Sequence, residues 1–293
     1  MKLAILGFGE AGQAIAQGLQ GESAGPDLAC FDIKTLDPAQ AKAIAAAADK
    51  MNVANSPNLE EALNGAEFVF STVTAGSAMD VAKAVARVRP DLQAYFDMNS
   101  VAPSTKAQEA RVLEGVGIAY IDTAIMAPIY PKLHKTPTLL AGTTAQRQAE
   151  VLTAWGLDVR VVGQDVGRAA SIKMLRSVMI KGLEALTAEM GLAAEKAGVT
   201  DEVIASLNAS FPGTDWEERT AYNLERMTTH GIRRAEEMEE VVKTLEDLGI
   251  NPELTSGTVR RQRRFGQGSL NLNETNPSLP DYARKIFAEF DEI

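Results

Sequence analysis

The sequence predicts an α/β Rossmann domain followed by an all-α domain, and three observations predict it. A Gly-x-Gly-x-x-Gly run lies between an apolar strand and a small-residue helix at the amino end. Strand-like and helix-like segments then alternate through the first half, the pattern of a mostly parallel sheet with helical crossovers. From Gly167 onward the apolar spacing is helical. The change of pattern places the boundary near residue 165, giving domains over 1–164 and 165–293.

Lys2-Leu3-Ala4-Ile5-Leu6 reads as the first strand and runs straight into Gly7-Phe8-Gly9-Glu10-Ala11-Gly12. Gly7 permits a tight turn, Gly9 lets the backbone approach a pyrophosphate, and Gly12 lets the helix sit close to the sheet. The helix amino end offers free N–H groups and a positive dipole end to phosphates. Asp32 follows 20 residues after Gly12, at the tip of a second apolar run, Leu28-Ala29-Cys30-Phe31. An acid there accepts from both ribose hydroxyls and repels a 2′-phosphate, which favours NAD over NADP. The cofactor-binding candidates are Gly7, Phe8, Gly9, Glu10, Ala11, Gly12 and Asp32, with Val73 and Thr74 from the loop after a later strand.

The remaining elements follow in order. Asp37-Pro38 starts an alanine-rich helix to about Lys50, with the acid as N-cap and proline in the first turn. A short strand is expected at Met51–Ala54 and a brief helix from Ser56-Pro57. Phe68–Val73 reads as a buried strand, Ala78 to Val88 as a helix, and Tyr95–Met98 as the next strand. Pro103 opens a helix to about Leu113, and strands follow at Tyr120–Ile125, Thr138–Ala141 and Val159–Val162. Ile172, Leu175, Met179, Leu183, Leu186 and Met190 mark one long helix from Gly167 to Lys196. Its length suits a helix shared by two domains or buried in a dimer. A helix at Asp201–Ser210, a loop at 211–215 and a long helix from Trp216 to about Leu248 complete the pattern, with Gly249 and Pro252 ending it.

Composition limits the function. A net charge of −10 argues against a nucleic-acid surface. The single cysteine, Cys30, falls inside a strand and reads as a small buried hydrophobe. His134 and His230 stand far apart, outside any metal-ligand spacing, so no metal is expected. The chain opens directly on a core strand and has no apolar run of membrane-spanning length, so a cytoplasmic protein without signal peptide or membrane contact is expected. Arg260-Arg261-Gln262-Arg263-Arg264 reads as compensation for Glu-rich helices, and Trp155 and Trp216 as packing residues.

In doubly wound folds ligands sit at the carboxyl ends of the strands. Asn99-Ser100 follows one such strand and suits a substrate hydroxyl or carboxylate, although helix capping before Pro103 explains it equally well. Lys173 lies one turn into the long helix, with Ser177 four residues on and on the same face. A lysine near a helix amino end is electrostatically disfavoured as a cation, which suits a general acid/base. On residue type alone a surface lysine is the plainer reading. His230, Arg233 and Arg234 share neighbouring turns and could clamp a carboxylate, or simply form ion pairs on a solvated helix. Tyr222 lies on roughly the same face.

With these elements in place, the chain resembles the β-hydroxyacid dehydrogenase superfamily, which includes 3-hydroxyisobutyrate and 6-phosphogluconate dehydrogenases. Gly7–Gly12 resembles the family's dinucleotide loop, and Asp122-Thr123-Ala124-Ile125-Met126-Ala127-Pro128 lies where the family has its Asp-x-Pro-Val-Ser-Gly-Gly substrate loop. Gly167-Arg168-Ala169-Ala170-Ser171-Ile172-Lys173 resembles the segment bearing the catalytic lysine. Two departures mark a divergent subfamily: Met126, Ala127 and Pro128 replace the serine and glycines, and Arg176 and Ser177 replace two asparagines. The C-terminal half resembles a phosphogluconate-dehydrogenase-like domain of uncharacterised function. The resemblance implies a homodimeric, NAD-dependent oxidoreductase acting on a hydroxyl-bearing carbon of a small carboxylate, a hydroxy acid or sugar acid. Lys173 is then the general acid/base with Ser177 beside it, and Asn99, Ser100, Met126, Ala127, His230, Arg233 and Arg234 are the substrate contacts. Imine reduction, 6-phosphogluconate-type oxidative decarboxylation and non-catalytic dinucleotide sensing are the alternatives.

Overall fold

A computed structural model of the chain describes residues 1–88, 91–270, 272 and 278–290. The chain divides into two compact units, Met1–Met174 and Leu175–Ile293. The division falls inside the long helix rather than ahead of it.

The first unit opens with β1 (Lys2–Leu6), α1 (Glu10–Leu19), β2 (Asp27–Phe31), α2 (Pro38–Lys50), β3 (Ala54–Asn55) and α3 (Leu59–Leu63). It continues with β4 (Phe68–Ser71), α4 (Ala78–Val88), β5 (Ala94–Asp97), α5 (Pro103–Glu114) and β6 (Tyr120–Ile125). Next come β7 (Thr138–Ala141), α6 (Ala145–Ala154), β8 (Val159–Gly163) and the start of α7 (Arg168–Ala197). The eight strands form one sheet in the order β3-β2-β1-β4-β5-β6-β7-β8. Every pairing is parallel except β6–β7, which is antiparallel. The 126–137 connection carries only a single 3₁₀ turn, Leu133–Lys135, and no crossover helix, as suits an antiparallel neighbour.

Both faces of the sheet are covered, as near-continuous apolar strands require. On one face Ile5, Phe68, Phe70, Phe96 and Trp155 form the centre of the larger core. Trp155 meets Phe68 edge-on at 5.3 Å, the packing role expected of it. On the other face Ala4, Val69, Tyr95, Val85 and Leu113 pack together. Cys30 is buried, and burial with the neighbouring Asp32 charge pushes its thiol up to about 12, so it is inert filler.

Two local expectations shift. The strand expected at Met51–Ala54 begins only at Ala54, because Met51-Asn52 is a turn with Asn52 at φ +51°. The helix expected from Ser56-Pro57 begins at Leu59, where Asn58 accepts the Glu61 N–H as N-cap.

The second unit is helical: the rest of α7, then α8 (Thr200–Ser210), α9 (Trp216–Asp247), α10 (Glu253–Gly266) and α11 (Leu279–Glu289). Gly231 and Gly266 bring α9 and α10 into backbone contact, since a Cβ on Gly231 would lie 2.3 Å from the Gln262 carbonyl oxygen. Asp215 caps α9 by accepting the Glu217 and Glu218 N–H groups. Inside the bundle Arg234 pairs with Glu184, and Gln262 donates to the same carboxylate at 2.8 Å. Arg261–Glu189 and Arg263–Glu239 pairs occupy the basic run, as the charge-compensation reading expects. No helix among the described residues is long and apolar enough to cross a membrane.

Candidate active site

The site in the first unit is built where strand ends meet helix starts. Gly7 takes φ +86°, and a Cβ there would lie 2.7 Å from the Thr72 carbonyl oxygen, so the turn admits no side chain. A Cβ on Gly12 would lie 2.4 Å from the Gly7 carbonyl oxygen, while one on Gly9 would meet nothing within 4 Å. The loop is thus closed on the sheet side and open at Gly9. Gly9 is the N-cap of α1 and contributes no side-chain cap, so the first-turn backbone of Glu10, Ala11 and Gly12 faces that opening. The donor set fits a dinucleotide pyrophosphate.

Asp32 stands at the end of β2 as expected and is buried. Its Oδ2 accepts the Phe8 N–H at 2.7 Å and its Oδ1 the Lys34 N–H at 2.9 Å. Phe8 requires a correction: its ring is wholly buried in the core and its N–H is committed to Asp32, so it anchors the loop and does not face a ligand. Val73 packs against Gly7, and Thr74 lies beside Ser77, hydroxyl to hydroxyl at 3.0 Å, at the next loop.

The central contact joins two segments 73 residues apart: Lys173 Nζ donates to Ser100 Oγ at 2.7 Å. Each partner is held by its own scaffold. Asn99 is buried; its N–H bonds Asp97 Oδ1 at 3.0 Å and its side-chain amide bonds Ser71 Oγ at 2.9 Å. Asn99 was expected among the substrate contacts. Its amide nitrogen is committed to fixing the turn that presents Ser100, while its Oδ1 is buried with no hydrogen-bond partner among the described residues. On the other side Asp122 Oδ2 accepts three backbone N–H groups, from Gly167 and Ala169 at 3.0 Å and Ala170 at 3.1 Å. Asp122 therefore caps α7 one turn before Lys173.

Lys106 lies between these two carboxylates. Its Nζ is 2.7 Å from Asp97 Oδ2 and 3.8 Å from Asp122 Oδ1, and all three side chains are buried. Burial is the largest influence on Asp97 and works to raise it, but the Lys106 charge together with hydrogen bonds from Glu109, Lys106 and the Asn99 N–H holds that carboxyl below its usual range. Burial pushes the Asp122 carboxyl up, with Lys106 and the α7 N–H donors opposing. Sequence reading missed Lys106, Glu109 and the role of Asp122. A signal existed: on α5 Lys106, Glu109, Ala110 and Leu113 follow the i, i+3, i+4, i+7 core spacing, which puts two charges on an inward face.

The other candidates are placed as follows. The Met126 N–H bonds the Pro137 carbonyl at 2.9 Å, and its partly buried side chain packs beside Ala124, Leu139 and Ala169. Ala127 is exposed. Ser177, in the second unit, is buried and accepts from Lys181 at 3.4 Å, while Lys181 pairs with Glu237 at 2.7 Å. On α9 His230 is half-buried and Arg233 and Tyr222 are exposed. Arg234 was expected to clamp a carboxylate; its Nη1 is paired with both oxygens of Glu184, which commits one end of the guanidinium within the bundle. His134 is also structural, with Nε2 at 3.0 Å from Glu22.

The first unit is thus a dinucleotide-binding domain with a lysine–serine pair presented beside its sheet. Residues 2–94 match the family described as NADP oxidoreductase, coenzyme F420-dependent, and residues 194–265 match a domain of unknown function. A conserved hypothetical protein of Sinorhizobium meliloti 1021 is 36% identical, covers 97% of this chain and 96% of its own, and superposes at a TM-score of 0.75. A second solved protein of unknown function is 28% identical over 90% of this chain and 96% of its own, at a TM-score of 0.70, and is described as structurally similar to 3-hydroxyacid dehydrogenases. The 2-(hydroxymethyl)glutarate dehydrogenase of Eubacterium barkeri is 24% identical over 232 residues, 74% of this chain and 71% of that protein. The chain belongs to the β-hydroxyacid dehydrogenase superfamily, as the resemblance of its loop and lysine segment implied.

Proposed function

We propose that this protein is an NAD-dependent dehydrogenase that oxidises the hydroxyl-bearing carbon of a small hydroxy acid or sugar acid. The observation that carries the reading is the 2.7 Å contact between Lys173 Nζ and Ser100 Oγ. An amine held by a hydroxyl partner at a fixed point can accept a substrate hydroxyl proton and later return it. Ser100 positions that substrate hydroxyl, and Asp122, by capping α7, fixes where the amine points. The bound nicotinamide supplies the hydride chemistry. The Eubacterium relative's name gives it a hydroxyl-bearing carboxylate substrate, which supports the same class here.

NAD is preferred to NADP because Asp32 brings a carboxylate to the end of β2, where a 2′-phosphate would meet like charge. The Met126-Ala127-Pro128 stretch does not supply N–H donors in the family's way, since Met126 is already bonded to Pro137 and proline has none. A homodimer is the proposed assembly. Leu175, Met179 and Leu186, at 43%, 62% and 63% exposure, leave an apolar stripe on α7 that a second copy would cover. Light scattering on the purified chain tests it.

The test of the activity is NADH formation across a panel of small hydroxy acids and sugar acids, with imine reduction assayed alongside. Turnover on a hydroxy acid that vanishes in Lys173→Ala supports the reading. Turnover on imines alone overturns it.

A further inference from the structure

Behind the Asn99–Ser100 turn lies a buried polar set of which the proposed reaction uses only Asp122. Asp97 and Tyr95 come from β5, Lys106 and Glu109 from α5, and Tyr120 and Asp122 from β6; all are at most 1% exposed. Counting protons at Tyr120 shows how the set is organised. The Tyr120 hydroxyl lies 2.8 Å from Asp97 Oδ2 and 2.8 Å from Glu109 Oε2. One phenol proton can serve only one of these contacts. The other is a hydrogen bond only if a carboxyl carries a proton.

Asp97 is the poorer place for it. Its Oδ2 already takes the Lys106 ammonium at 2.7 Å, and its Oδ1 takes the Asn99 N–H at 3.0 Å. Glu109 Oε1 has no partner among the described residues. An unpaired oxygen is tolerable on a neutral acid and costly on a buried carboxylate. The proton thus belongs on Glu109, which donates to Tyr120, which donates to Asp97. Burial and the Asp97 charge push the Glu109 carboxyl up to about 9, in line with that order.

We propose that Glu109, Tyr120 and Asp97 retain one shared proton, and that this proton, together with Lys106, fixes the Asn99–Ser100 turn where Ser100 meets Lys173. Glu109 and Lys106 are positioning residues. Asp97 holds Asn99, the neighbour of Ser100, while Lys106 faces Asp122, which holds the start of α7. One buried set therefore fixes both ends of the Lys173–Ser100 contact. Removing the proton puts a second anion against Asp97 and loosens the turn. Its catalytic consequence rests on the reading of Lys173 and Ser100 as the reacting pair; the retained proton does not.

The test compares wild type with Glu109→Gln, which keeps an N–H donor toward Tyr120 and cannot ionise. Infrared spectra report the carbonyl stretch of a protonated carboxylic acid, and acetic anhydride labelling read by mass spectrometry reports the environment of Lys173. Wild type at neutral pH is expected to show the acid band, and Glu109→Gln to lack it. Labelling of Lys173 should match in the two proteins at neutral pH and diverge severalfold above pH 9. A wild-type spectrum without the band, or a band that survives Glu109→Gln, overturns the shared proton. Matching labelling through pH 10 overturns its positioning role. Neither readout uses turnover, so failure here is distinguishable from failure of the dehydrogenase reading.

Discussion

Replacing Asp122 by alanine removes one carboxylate oxygen that satisfies three buried N–H groups at the start of α7. Each buried donor left without a partner costs about 1–3 kcal/mol. The substitution also strips Lys106 of one of its two facing carboxylates, lying 3.8 Å away. Water entering the vacated space recovers part of this, and the net loss is about 3–5 kcal/mol, the range for breaking a buried ionic contact. Asp122→Asn keeps an acceptor oxygen in the same place and should lose less than about 2 kcal/mol. Urea unfolding at neutral pH, followed by fluorescence of Trp155 in the first unit's core, measures both. A Trp155→Phe control separates that signal from Trp216. If Asp122→Ala lies within about 1 kcal/mol of wild type, α7 does not depend on this cap and the argument for how Lys173 is positioned fails.

Glu109→Gln should change the pH dependence of stability. An acid raised from 4.5 to about 9 gives stability that is fully present below pH 4.5 and is lost progressively as pH rises toward 9. At pH 7 this loss is on the order of 3 kcal/mol, so the glutamine variant should be the more stable there and the gap should close toward pH 5; urea midpoints across that range would expose a constant gap. Gly12→Ala puts a methyl 2.4 Å from the Gly7 carbonyl oxygen. It should weaken NADH binding by more than about tenfold, read by fluorescence titration. Asp32→Ala should weaken NADH binding by about tenfold or more and narrow the preference over NADPH, since it removes both a ribose acceptor and a repelling charge; wild type that already prefers NADPH would contradict the reading of Asp32.

The fold was legible because its signals are periodic. Short apolar runs rich in aromatic and β-branched residues, such as Phe68–Ser71, read as buried strands, and the glycine loop has a fixed geometric meaning between strand and helix. The reversal at β7 was not legible, because Thr138–Ala141 carries the same apolar pattern in either direction. At the site, Lys173 and Ser100 were each visible, but their contact spans 73 residues and no spacing rule reaches that far. Asn99 and Arg234 each carry a structural commitment that the sequence does not show. A polar side chain beside a cleft looks like a ligand contact in sequence, whereas Asn99 is bonded to Asp97 and Ser71, and Arg234 to Glu184. Lys106 and Glu109 were passed over because charges on a helix are read as solvated, although their spacing put them with Ala110 and Leu113.

The central claim is that Lys173 handles the proton while the glycine loop holds the dinucleotide. The most direct measurement is kcat on the best substrate of the panel for wild type and Lys173→Ala, with NADH affinity determined on the same samples. The account predicts that kcat falls by about a hundredfold to ten-thousandfold while NADH affinity changes little. An unchanged kcat in Lys173→Ala would contradict it.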